Sequence, residues 1–219
     1  MLVALLAVPG SPTFAADDDL MAFFLADRVE VSDGEGDYLW DVQGWAGGDY
    51  HRLWLKSEGD RHEAELQLLY SRAVSPFFDL QLGIRHDLDP RPSRSHAVVG
   101  LQGLAPHWFE VDAALFLSDE GVLSARLEAE YDLRLTQRLI LQPRAETEAG
   151  FGDDDELGLG RGVRQLDLSL RLRYEIRRKL APYLGFGWRR AFGDTADFLE
   201  LDGEDSSGYF AVAGLRFWF

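Results

Sequence analysis

Five histidines stand in the first half of the chain, and several have acidic neighbours. They are His51, His62, His86, His96 and His107. His62 is followed by Glu63 and His86 by Asp87. His86 and His96 flank the segment at 87–94. A set of His62, Glu63, His86, Asp87 and His96 has the imidazole and carboxylate donors that bind a divalent metal. Its spacing is open, so the ligands converge only if the fold brings them together. A second source of chemistry is carboxylates two residues apart: Glu63/Glu65, Glu110/Asp112 and Glu128/Glu130/Asp132. On a strand such spacing puts them on one face. A face of hard oxygens suits cations.

Catalytic readings are thinner. Ser95-His96 and Ser71 are the serine candidates for a lipid hydrolase. A nucleophile needs a base and an orienting third group, and no G-x-S-x-G or H-E-x-x-H motif occurs. The glycines at 158–162 follow acidic residues rather than a strand, so they are not a nucleotide fingerprint. The expectation is a protein that is not an enzyme. With no cysteine, Cys-ligated zinc, thiol nucleophiles and disulfides are excluded. A net charge of −16 argues against nucleic acid as a partner.

The elements that must position these residues alternate. Leu123, Ala125, Leu127, Ala129, Tyr131 and Leu133 share one parity against Ser124, Arg126, Glu128, Glu130 and Asp132. Leu166, Leu168, Leu170, Leu172, Tyr174 and Ile176 do the same against Gln165, Asp167, Ser169, Arg171, Arg173 and Glu175. This is period two, the strand pattern. The runs are about 11–13 residues, against about 5–6 for an ordinary strand, and a tilted membrane strand needs about 9–11. Twelve segments are predicted: 20–31, 37–47, 50–58, 62–72, 76–86, 95–105, 107–118, 121–133, 136–150, 163–177, 181–192 and 208–219. The first is interrupted by Asp27, and no helix signal competes.

Every clearly long connection falls on one side, at 32–36, 87–94, 151–162 and 193–207. Short turns on one side and long loops on the other mark an outer-membrane barrel. Tyr70, Trp108, Phe109, Tyr131, Tyr174, Tyr183, Trp188 and Tyr209 lie near strand ends, as interfacial girdles do. The last strand ends on Phe219, with Tyr209, Ala211, Ala213, Leu215 and Phe217 in its parity. The fold class expected is all-β, an antiparallel transmembrane up-and-down β-barrel of about twelve strands. Residues 1–15, with the apolar run MLVALLAV, read as a secretory signal peptide. Residues 16–219 form the single barrel domain, located in the bacterial outer membrane.

The polar parity faces the lumen. It carries acids and cations together, among them Asp41, Lys56, Glu65, Arg85, Arg126, Arg144, Arg171 and Arg216; Lys56 and Lys179 are the only lysines in the chain. The planar guanidinium fork pairs bidentately with carboxylates. One reading is a structural ion-pair network inside a structural or pore-forming barrel. The other is an acidic path or wall for cations.

Six stretches carry a family resemblance: MAFFLADRVEV at 21–31, WDVQGWAGGDYHRLWLKSEGD at 40–60, ELQLLYSRAVSPFFDLQLGIRHDL at 65–88, GLAPHWFEVDAALFLSDEGV at 103–122, ARLEAEYDLRLTQRLILQPRA at 125–145 and LRYEIRRKLAPYLGFGWRRA at 172–191. They resemble the copper resistance protein B family over nearly all of 20–219. The resemblance implies an outer-membrane barrel of Gram-negative bacteria that binds, sequesters or passes copper ions. Its implied partners are outer-membrane lipid, copper ions and periplasmic copper-handling proteins. Members of that family often carry a Met- and His-rich segment ahead of the barrel. Here the interval is 16–20, and the methionines are Met1 and Met21.

Overall fold

The computed structural model describes residues 20–33, 38–89, 92–152, 160–203 and 205–219. The signal peptide expected at 1–15 lies outside the described residues. The strands are β1 (Met21–Ser32), β2 (Tyr38–Gly47), β3 (His51–Gly59), β4 (Ala64–Ala73), β5 (Phe78–Asp89), β6 (Ser95–Ala105), β7 (Phe109–Ser118), β8 (Leu123–Glu130), β9 (Leu133–Arg134), β10 (Leu139–Gly150), β11 (Gly162–Tyr174), β12 (Leu180–Ala191) and β13 (Ser207–Trp218). The two-residue β9 continues the line of β8 against β10, so the wall has twelve staves.

Each strand pairs antiparallel with its sequence neighbour, except that β8 and β9 both pair with β10, and β1 pairs with β13. That last pairing closes the barrel and leaves no free edge. All twelve predicted segments are present, including the first, which Asp27 interrupts.

Two irregularities matter. In β1, Ala26 pairs with Val42 and Arg28 with Asp41, so Asp27 is an extra residue in the ladder. Such a bulge re-aims the side chains after it. Leu25 is buried before it, and Arg28 and Glu30 after it, while Val29 and Val31 are exposed. The residue that broke the sequence pattern is therefore the one that switches its parity. At the closing seam, Ala26 pairs with Phe217 and the next pair is Glu30 with Gly214. The ladder is interrupted between 27–29 and 215–216.

The outer wall is apolar. Leu53, Leu55, Leu66, Leu68, Leu82, Ile84, Leu115, Leu117, Leu168, Leu170 and Leu172 are all exposed on it. The interior is mostly polar, but it holds an apolar cluster of Trp54, Leu69, Val98 and Phe116 on the β3–β7 side. Glycines admit large side chains. A Cβ on Gly214 would lie 2.4 Å from the Tyr183 ring, so only glycine lets that ring lie flat on β13.

One element differs from expectation. The connection after β12 contains a helix, α1 (Gly193–Asp202). It ends at Gly203, whose φ of 82° is the left-handed stop that glycine takes freely. The Thr195 hydroxyl accepts from the Gly160 amide at 3.0 Å, tying α1 to the chain ahead of β11. Among the described residues no helix is long and apolar enough to cross a membrane.

Candidate functional site

The inward parity builds one charged interior. Arg126 on β8 reaches across the lumen to Glu65 on β4 at 3.0 Å and to Glu58 on β3 at 3.5 Å. Its guanidinium also lies 5.6 Å from the Phe116 ring centre, with Arg85 at 4.9 Å from the same ring. Arg28 bridges Asp41, at 3.1 Å, and Glu58. Arg144 bridges Glu128 at 2.6 Å and Glu146 at 3.0 Å. On the β11–β1 side, Arg171 holds Glu30 with two bonds of 2.9 and 3.1 Å, and the Tyr183 hydroxyl donates to the same carboxylate at 3.0 Å. Charges placed in a half-dry interior demand such partners.

Beside this network is a cavity of about 420 Å³. It runs from Pro76 and Phe77, in the short β4–β5 turn, up to Glu58 and Glu65. Eight carboxylates line it, against three cations, Lys56, Arg126 and Arg216. Its acidic wall is β7–β8, where Glu110 pairs in register with Glu130 and Asp112 with Glu128. Like charges directly opposite on neighbouring strands repel. Lys56 reaches Asp112 at 2.7 Å, and Gln142 donates to Glu130 at 3.0 Å. Among the described residues Glu110 has no ion-pair or hydrogen-bond partner. Such a wall attracts cations from solution.

The structure separates the histidine set. His62 and Glu63 sit in the β3–β4 turn, where both amides donate to Asp60 Oδ1, at 2.6 and 2.9 Å. Glu63 is open to solvent in area yet flanked by the barrel rim. Lost hydration there, and then the like charges of Glu148 and Asp60, hold its carboxyl above the ordinary range. His86 points outward. Asp87 and His96 point inward, and the His96 Nδ1 lies 3.6 Å from Asp87. Asp87 also accepts from Arg85 at 2.5 Å. So Asp87 and His96 meet, while His86 is on the other face of the sheet. Among the described residues no group of three or more acidic or imidazole side chains is arranged to hold a metal ion.

The serine candidates resolve differently from the sequence reading. Ser95 pairs with His86, not His96: its hydroxyl is 3.0 Å from the His86 Nδ1. Among the described residues no third group orients that imidazole. Ser71 is buried and accepts the Trp54 indole N–H at 3.0 Å.

Residues 20–219 match the family described as "Copper resistance protein B precursor (CopB)". The chain belongs to the copper resistance protein B family. It is 44% identical over 210 residues to "Copper resistance protein B" of Escherichia coli, covering 93% of this chain and 71% of that protein. The same figures hold for the "Copper resistance protein B homolog" of Pseudomonas syringae pv. tomato (strain ATCC BAA-871 / DC3000). In fold it is similar to the NanC porin, with a TM-score of 0.58 at 11% identity, covering 89% of this chain and 98% of that one. The KdgM porin aligns with a TM-score of 0.52 at 10% identity, covering 91% and 99%. This copper resistance protein B relative is thus a twelve-strand β-barrel of the outer membrane.

Among the described residues, the interior charges of this family member that the expected lumen parity does not assign include Asp27, Arg28, Glu30 and Glu58. The first three lie at or after the β1 bulge, where strict alternation fails. The interruption at Asp27 was the available signal. Glu58 shares the parity of Arg52 and Lys56 and was legible from it.

Proposed function

We propose that this protein serves copper resistance by taking copper ions into its acidic lumen at the outer membrane, without catalysing a reaction on them. The observation that carries this reading is the cavity lined by eight carboxylates and three cations, in a chain of this family. With no cysteine and with Met1 and Met21 the only methionines, the available donors are carboxylate and imidazole, which favour copper(II) over copper(I). At the long-loop mouth Asp87 and His96 offer the one adjacent imidazole–carboxylate pair of the predicted metal set. Lipid surrounds the apolar wall, and periplasmic copper-handling proteins are the partners at the short-turn end.

The test is copper tolerance of a deletion strain carrying either the native gene or a Glu110→Gln, Asp112→Asn, Glu128→Gln, Glu130→Gln variant. Zinc and nickel serve as controls. Titration of the detergent-folded proteins with copper(II) accompanies it. The native protein restores copper tolerance selectively, and the neutral wall restores it less and binds less copper. Equal tolerance and equal copper binding by the two proteins would sink the lumen reading.

A second reading, a structural or pore-forming barrel without metal preference, is favoured by the Arg126 contacts that span the bore. Planar-bilayer conductance that ignores copper supports it. The lipid-hydrolase alternative rests on the His86–Ser95 contact alone.

A further inference from the structure

The two ends of the barrel differ in charge. Asp33, Asp89, Asp119, Glu120 and Asp205 are exposed on the long-loop side. At the short-turn end, two neighbouring turns carry Arg138, Arg177, Arg178 and Lys179, all exposed. The turns touch: the Glu175 amide donates to the Arg138 carbonyl at 2.8 Å. The β13 terminus joins them, since the Trp218 indole N–H donates to the Arg178 carbonyl at 2.9 Å. The Lys179 ammonium lies 5.0 Å from the Trp218 ring centre. Among the described residues none of these four cations forms an ion pair. Glu175, in the same turn, pairs with none of them. In a chain of net charge −16, whose other arginines mostly hold carboxylates, four unpaired cations on one rim leave a positive patch open to an anion from outside the chain.

We propose that this rim binds the phosphate headgroups of anionic phospholipid in the leaflet facing the periplasm. Its position selects the ligand. Immediately beside the cations the surface is apolar and aromatic: Leu135, Tyr174, Ile176 and Trp218 are exposed. Tryptophan and tyrosine sit at headgroup depth in membranes, so the guanidinium forks lie where lipid phosphates are. Guanidinium takes phosphate bidentately, and ammonium takes it as a point charge. An acidic protein would have to dock on a surface already bordered by acyl chains. The charge match also fixes which way a lipid sorts: phosphatidylglycerol gathers at this arc of the rim, and neutral lipid does not.

Fluorescence quenching tests this. The full-length barrel is reconstituted in phosphatidylcholine vesicles containing either brominated phosphatidylglycerol or the same fraction of brominated phosphatidylcholine. The native protein is quenched more by the anionic lipid, by about twofold in the quenchable fraction, and salt reduces the excess by screening. An Arg138→Gln, Arg177→Gln, Arg178→Gln, Lys179→Gln variant loses the excess. The conservative Arg177→Lys, Arg178→Lys variant keeps most of it. Inorganic phosphate added to neutral vesicles leaves quenching unchanged. Heat-dependent mobility on gels shows that each variant is a folded barrel. Equal quenching by both lipids in the native protein overturns the proposal, and so does an excess that survives in the folded glutamine variant.

Discussion

Among the described residues Glu30 is the most enclosed carboxylate of the interior, held by Nε and Nη2 of Arg171 and by Tyr183. Removing one partner of a buried pair strands the other charge. Glu30→Ala is expected to destabilise the barrel by about 3–5 kcal/mol. Tyr183→Phe deletes one hydrogen bond to a charged carboxylate and should cost about 1.5–3 kcal/mol. Denaturant unfolding of the detergent-folded variants checks both. At this scale parity told much. It sent Glu65, Arg126, Arg144 and Arg171 inward, where they are. It could not say which acid meets which arginine, because partners such as Arg126 and Glu65 lie on strands far apart in sequence. Nor could it foresee that His86 and His96, ten residues apart across a hairpin, face opposite sides. One strand end and one strand start set those parities.

Strands and turns were the most legible level, since long alternation leaves little choice of register. Two features were not. The bulge at Asp27 reads only as a flaw until the partner strand is known. Deleting Asp27 should make the Ala26–Val42 and Arg28–Asp41 pairs consecutive and restore simple alternation with Arg28 and Glu30 still inward. The expected result is a chain that still forms the heat-modifiable barrel, whereas inserting a residue after Ala26 in place of that deletion, which disturbs the register of Arg28 and Glu30, lowers the yield of barrel. The other is α1, in an acidic loop with no apolar stripe to announce it. Only the Gly203 stop hinted at a helix end. The Tyr183–Gly214 contact makes a separate prediction at this scale. Gly214→Val places a side chain where the ring lies, so it should lower the thermal midpoint while Gly208→Val, with open space around it, changes it little.

Across the molecule, the net charge of −16 conceals an ordered distribution. Acids crowd the long-loop side and one wall of the lumen. Arginines cross-link the bore, and unpaired cations gather on the opposite rim. The bore contacts bear on conduction. A twelve-strand barrel lies between filled eight-strand barrels and open porins of sixteen or more. With Arg126 tied to Glu58 and Glu65 across it, the native protein should conduct weakly in planar bilayers. Arg126→Ala removes the strut and is expected to raise single-channel conductance. Sequence reading supplied the inventory of these charges. It could not supply their assignment to wall, bore or rim, which needs the ring closed.

The closing seam has a consequence for how the wall breathes. Where β1 and β13 lose their pairing at 27–29 and 215–216, the ring of backbone hydrogen bonds has a gap. Directly over it, Asp27 and Arg216 sit 2.7 Å apart. A side-chain clasp stands there in place of main-chain stitching. Amide deuterium uptake should therefore start at Val29 and Leu215, ahead of the fully laddered β5–β6 hairpin. Dissolving the clasp with Arg216→Ala should spread that early exchange along both strands toward the rims.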